Sequence, residues 1–116
     1  MSEAIHQGHV STSIEEGVAT IEFFHPLSNS LPGKLLAQLA DQITEAGKDD
    51  AVTVILLKSA GERAFCAGAS FDELVSIADM ETGKKFFSGF ANVINAMRKC
   101  PKLIIGRVHG KAVGGG

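Results

Sequence analysis

The chain has 116 residues, 45% hydrophobic and 21% charged, which suffices for one modest core and no second domain. Its formal net charge is −2 with no block of like charge, so neither nucleic acid nor an anionic membrane is an expected partner. The longest apolar run, Val52 to Leu57 with Thr53 inside it, is far too short to span a bilayer.

Residues 1–8 are polar and mixed and read as a flexible N-terminus. MSEAIHQGH carries no basic segment followed by an apolar one, so no secretory signal is expected. The expected location is cytoplasmic, with Cys66 and Cys100 as reduced buried thiols rather than a bridge. HVSTSIE, from His9 to Glu15, alternates loosely like an edge strand. Glu16-Gly17 is a turn signal, and VATIEFF, Val18 to Phe24, is a second strand, which together predict an antiparallel hairpin. His25-Pro26 ends that strand because proline cannot donate to a ladder.

The segment PLSNSLPG is a loop, and Pro32-Gly33 leads into a helix with Leu35, Leu36, Leu39, Ala40, Ile43 and Ala46 on one stripe. Gly47 and Lys48-Asp49-Asp50 close it. Val52 to Leu57 reads as a strand covered on both faces. Strand, helix, strand at this spacing predicts a crossover between parallel strands. After the small-residue loop SAGERAFCAGAS, Ser70 is the expected N-cap of a short helix, Phe71 to about Ile77, with Glu73 completing a capping box. A longer helix, about 81–98, is expected to set Phe86, Phe87, Phe90, Ile94 and Met97 on one side. Pro101 stops it, and Leu103 to Val108 returns to the sheet.

Two apolar strands therefore each deliver a glycine-bearing loop: FCAGAS at Phe65–Ser70 and HGKAVGGG at His109–Gly116. Loops without side chains present bare N–H groups, and two N–H groups aimed at one point are what an oxyanion needs. Taken alone, FCAGAS serves equally well as a tight turn. The second loop lacks the Lys-Ser/Thr ending of a phosphate loop and a GxGxxG pattern, so nucleotide binding of those kinds is a poor match. The four histidines show no metal-ligand spacing, and no metal site is expected. No serine sits in a GxSxG elbow, so a hydrolase finds no nucleophile.

FCAGAS followed by FDEL, HGKAVGGG, and the early loop HPLSNSL at His25–Leu31 together resemble the crotonase (enoyl-CoA hydratase/isomerase) superfamily, in its order and near its spacings. The resemblance runs from about Val10 to the end. It implies an α/β fold, a crotonase-like spiral of repeated ββα units, with residues 9–116 as the N-terminal part of such a domain and the chain cut short at Gly116. It implies an oxyanion hole from the Ala69 and Gly115 N–H groups, with the macrodipole of the helix after Ser70 adding positive potential. The passage for the coenzyme A pantetheine would be lined by Ala67, Gly68, Ala69, Ser70 and Phe71, with Ser28 and Ser30 of the early loop touching the coenzyme. Singly, Ser28, Asn29 and Ser30 read as a solvated loop. Lys34, Lys58 and Arg63 are further candidates for the coenzyme phosphates.

Departures from the family pattern fall at Ser70, where aspartate is usual, and at Asp72, where a basic or polar residue is usual. They touch side-chain contacts and leave the backbone donors intact. The expected activity is enolate chemistry on an acyl-CoA thioester, of hydratase or isomerase type, with the coenzyme arriving as substrate and no cofactor bound permanently. The proton-transfer glutamates would follow Gly116, so this chain alone is expected to be inactive. A homo-trimer or hexamer is carried over from the family. The alternative is a non-catalytic acyl-CoA-binding or assembly module.

Overall fold

VATIEFF alternates so that Ala19, Ile21 and Phe23 point to one side, and all three are buried. This strand, β2 (Val18–Phe24), pairs antiparallel with β1 (His9–Glu15) through Glu16-Gly17. Both turn residues have positive φ, 51° and 82°, the signature of a tight hairpin turn whose twist matches the strands. The computed structural model describes residues 8–116, so the expected flexible N-terminus lies, save Gly8, outside the described residues.

The chain continues through β3 (Ser30–Leu31), α1 (Gly33–Lys48), β4 (Val54–Ser59), β5 (Ala64–Cys66), β6 (Gly68–Ala69), α2 (Phe71–Val75), α3 (Met80–Lys99), β7 (Leu103–Arg107) and β8 (Lys111–Ala112). The main sheet has the order β1-β2-β4-β7, with β2, β4 and β7 parallel. α1 crosses from β2 to β4, and α3 carries the chain back to β7. Two small parallel pairs stand beside the sheet, β3 with β6 and β5 with β8. They join the three loops to one another.

α1 follows its pattern: Leu35, Leu36, Leu39, Ile43 and Ala46 are buried against the sheet face made by Ala19, Ile21, Ile55 and Leu57. Ile21, Leu36, Ile43 and Ile55 are the largest fully buried side chains, each stabilising the fold by about 1.5–3 kcal/mol.

Several boundaries and faces differ from expectation. β4 begins at Val54, because Val52 and Thr53 spend their N–H groups on Asp49 and Gly17 carbonyls in the connection from α1. Val52 is buried as a core plug rather than as a strand residue. Nor is β4 covered on both faces: Ile55, Leu57 and Ser59 are buried while Val54, Leu56 and Lys58 are half-buried. On α3, Phe86, Phe90, Val93 and Met97 form the inward stripe, spaced by four, three and four. Phe87 and Ile94 lie on the neighbouring stripe, 62% and 54% exposed.

Ser70 does cap α2, its Oγ accepting from the Glu73 N–H at 3.3 Å, but the reciprocal half of the box is absent. The Glu73 carboxylate instead accepts the Gly33 N–H at 2.8 Å, capping α1, whose own N-cap Pro32 offers no side-chain acceptor. The full capping box lies at Asp79 and Thr82, opening α3. No helix among the described residues is long and apolar enough to cross a membrane.

Candidate active site

Past β2 the chain turns through Ser28 and Asn29, both at positive φ, 55° and 59°. Asparagine tolerates this conformation, and its side chain is then put to use. Asn29 Oδ1 accepts the His25 N–H at 2.8 Å, while Nδ2 donates to the carbonyls of Ala60 and Ala64, each at 2.8 Å. One side chain, 3% exposed, thus ties the early loop to both ends of the segment that follows β4. Asn29 and Ser30 are buried rather than solvated.

β3 then runs beside β6. The Ala67 N–H donates to the Asn29 carbonyl at 3.3 Å and the Ser70 N–H to the Leu31 carbonyl at 3.2 Å. The ladder between them runs one to one, Ser30 opposite Gly68 and Leu31 opposite Ala69. The Gly68 N–H turns to Cys66 Sγ at 3.4 Å. In a parallel ladder the residue that bonds across, here Leu31, engages the neighbours of its opposite number. Its opposite number is Ala69, whose amide therefore faces away from β3.

The second glycine loop is laid against the first. β8 pairs with β5, matching Ala64 to Lys111 and Cys66 to Ala112, and the Val113 N–H donates to the Cys66 carbonyl at 3.0 Å. The Gly116 N–H closes a turn onto the Val113 carbonyl at 2.8 Å. Gly68 has φ 91°, and a Cβ there would stand 3.1 Å from the Val113 carbonyl oxygen and 3.7 Å from the Gly115 nitrogen. Only a residue without a side chain permits the two backbones to pass this closely. The Gly115 N–H makes no hydrogen bond among the described residues.

The structure therefore brings Ser30, Ala67, Gly68, Ala69, Ser70 and Gly115 into one place. Two expected residues stand apart. Ser28 lines a separate cavity of 290 Å³ with His25, Asn29, Gly61, Glu62 and Arg63. Phe71, at the start of α2, is 70% exposed. Of the candidate phosphate contacts only Arg63 joins Ser28; Lys58 pairs with Glu22 at 3.5 Å and Lys34 borders a cleft between the helices. At five residues α2 has little dipole to lend to the Ala69 amide. Burial pushes the Cys66 thiol up, with the Gly68 N–H partly opposing, which suits a neutral buried thiol. Burial lowers His25, opposed by the charge of Asp72. Among the described residues no group of three or more His, Cys, Asp or Glu side chains could hold a metal ion.

Asn29 is the anchoring residue whose part sequence reasoning missed. Its only local signal is an asparagine between serines in a turn, and its partners stand 31 and 35 residues away.

The enoyl-CoA hydratase/isomerase family model matches residues 13–116. A probable enoyl-CoA hydratase of Bacillus subtilis is 28% identical over 107 residues, covering 92% of this chain and 41% of that protein. The 1,2-epoxyphenylacetyl-CoA isomerase of Escherichia coli is 30% identical, with 92% and 42% covered. The crystal structure of an enoyl-CoA hydratase from Bacillus anthracis superposes with a TM-score of 0.85 at 28% identity, over 92% of this chain and 42% of that one. The chain thus spans about two fifths of the length of these relatives and shares the crotonase α/β fold of their N-terminal part. With the family model matching nearly all of it and the two glycine loops laid side by side, the chain belongs to the enoyl-CoA hydratase/isomerase family.

Proposed function

We propose that the complete protein processes acyl-CoA thioesters by hydratase or isomerase chemistry, with the Ala69 and Gly115 N–H groups as its oxyanion hole. The observation that carries this is the unpartnered Gly115 amide lying against Gly68, beside an Ala69 amide turned out of its ladder. When a proton leaves or joins the carbon next to a thioester, negative charge collects on the carbonyl oxygen. Two fixed amides stabilise that charge without reorganising, which lowers the barrier more than it tightens substrate binding. In hydration, water oxygen bonds to Cβ as a base takes one of its protons, the Cα=Cβ electron pair shifts so that the enolate forms on the thioester oxygen, and Cα then takes a proton. The groups that move these protons lie outside the 116 residues, so the chain alone is inactive.

The coenzyme passes Ala67, Gly68 and Ser70, with Ser30 beneath them, and reaches Ser28 and Arg63 at the neighbouring cavity; Phe71 offers an exposed ring at the edge. The thioester is substrate, and no cofactor is bound permanently. The working protein is a cytoplasmic trimer or hexamer.

The test replaces Ala69 in the complete protein and follows hydration of crotonyl-CoA together with binding of a CoA thioester. Ala69→Gly keeps most of the activity, because the donor is main chain. Ala69→Pro removes the hydrogen and lowers turnover by about 100- to 1,000-fold or more. A Pro variant that folds and hydrates at the parental rate overturns the assignment. A parental protein that binds acyl-CoA and never turns it over is a binding module instead.

A further inference from the structure

The second glycine loop closes in a turn that has little stiffness of its own. The Gly116 N–H bonds the Val113 carbonyl at 2.8 Å, which makes Gly114 and Gly115 its two central residues. Gly114 has φ 57° and Gly115 is not at positive φ, the sign pattern of a type II′ turn. The type I′ alternative has positive φ at both central residues, and a pair of glycines adopts either form. The two differ by a half rotation of the peptide that joins Gly114 to Gly115. That peptide carries the Gly115 N–H. In one form the amide hydrogen faces a given side, and in the other the Gly114 carbonyl oxygen does. A donor and an acceptor can thus exchange places unless something outside the turn selects between them.

Each glycine of the turn lies against one neighbour. A Cβ at Gly114 would stand 3.7 Å from Gly68 Cα, and one at Gly116 would stand 2.6 Å from the Cys66 carbonyl oxygen. Both of those neighbours belong to the first glycine loop. A Cβ at Gly115 would instead stand 2.9 Å from Cδ1 and from Cε1 of Phe90, which comes from α3. The backbone at Gly115 does not demand glycine, so the Phe90 ring is what excludes a side chain there. The ring is itself well founded. It packs half-buried against the core, and the residue before it, Gly89, lets α3 close onto α1. A Cβ at Gly89 would stand 2.9 Å from Cδ1 of the fully buried Leu36. Support therefore runs from the core through α3 to the Gly115 backbone.

We propose that Phe90 is a positioning residue of the oxyanion hole, holding the Gly114–Gly115 peptide in the orientation that offers the Gly115 N–H as donor. The inference rests on the reading of Gly115 as that donor. Phe90 acts through Gly115, not on the substrate. The first loop sets where the turn stands, and the ring selects which way its central peptide faces. An aromatic side chain suits this task because it presents a broad, rigid surface with only two side-chain torsions to fix. Without the ring both peptide orientations are populated, and the share with the hydrogen inward sets the share of competent sites.

The test places Phe90→Leu and Phe90→Ala in the complete protein and follows crotonyl-CoA hydration. It also reads the infrared carbonyl band of bound butyryl-CoA carrying carbon-13 at the thioester carbonyl. Hydrogen bonds to that oxygen lower the band's frequency, so its shift on binding reports the donors directly. Phe90→Ala should lose about half of the shift and lower kcat about tenfold, with KM changed less than about twofold. Phe90→Leu should fall between it and the parent. Val93→Ala, on the same buried stripe of α3, loosens the core yet should leave band and kcat at parental values. Phe90→Ala combined with Gly115→Ala should have no lower kcat than the worse single variant, since both act on one peptide. Folded Phe90 variants with the parental band and kcat overturn the proposal. So does an equal loss in Val93→Ala, or a loss that multiplies with that of Gly115→Ala. If Ala69→Pro is inactive while the Phe90 variants are parental, this inference alone falls; if Ala69→Pro is active, the oxyanion reading falls with it.

Discussion

The two glycine loops are alike in composition and opposite in anchorage. In the first, Ala64, Phe65, Cys66, Gly68 and Ser70 are buried, and bonds from Asn29, Leu31 and Cys66 fix the path. In the second, every residue from Gly110 to Gly116 is exposed, and its hold on the fold is the β5 pairing, the Val113–Cys66 bond and the contact with Gly68. The core therefore positions the Ala69 amide directly, whereas the Gly115 amide takes its position from the first loop. Damage to the first loop should cost stability and activity together. Damage to the second should cost activity nearly alone.

The sharpest break in that contrast is Asn29→Leu. Two carbonyls and one N–H lose their partner, and stability should fall by about 3 kcal/mol, read from the urea midpoint. A drop below about 1 kcal/mol would show that water replaces the side chain and that the first loop is not pinned from below. Next is Gly68→Ala, which sets a methyl group at φ 91° against the Val113 carbonyl. About 2 kcal/mol should be lost, with activity falling in step as the loops part. Gly115→Ala is milder for the fold. Its backbone is not at positive φ, and the added methyl meets first the half-buried Phe90 ring, 2.9 Å away, so about 1 kcal/mol is expected. Its activity should nonetheless fall more than that of Gly68→Ala does per unit of stability lost, and equal ratios would erase the distinction between the loops.

The smallest effect is on pH. Burial lowers His25 from its ordinary 6.5, so the unfolded chain takes up the proton first as pH falls. The contribution is full above 6.5 and is lost as pH drops below it toward the folded value. The urea midpoint should therefore decline between about pH 7.5 and 5.5, and His25→Asn should flatten the decline. An unchanged slope in the variant would place the titrating group elsewhere.

What the sequence disclosed follows from the reach of each interaction. β2 and α1 were legible because each buries one face, and burial writes a period into neighbouring residues. The apolar Val52 misled because a core plug in a connection carries the same letter as a strand residue. Adjacent Phe86 and Phe87 misled because a doubled aromatic does not say which of two stripes faces inward. β3, β6 and β8 have two residues each, too few to show any period. The two loops were found through motif resemblance, while their mutual contact depends on pairings between Ala64 and Lys111 that no local pattern encodes. Glu73 reads locally as a cap of its own helix because its real partner, Gly33, is 40 residues away.

That last bond bears on the order in which the chain folds. α1 has no cap of its own, so its first turn frays until the Glu73 carboxylate arrives across a 40-residue separation. Closing a loop of that length has an entropic cost that only later contacts repay, so the middle of α1 condenses on the hairpin first. Its N-terminal turn, β3 and the first glycine loop then lock as one late step.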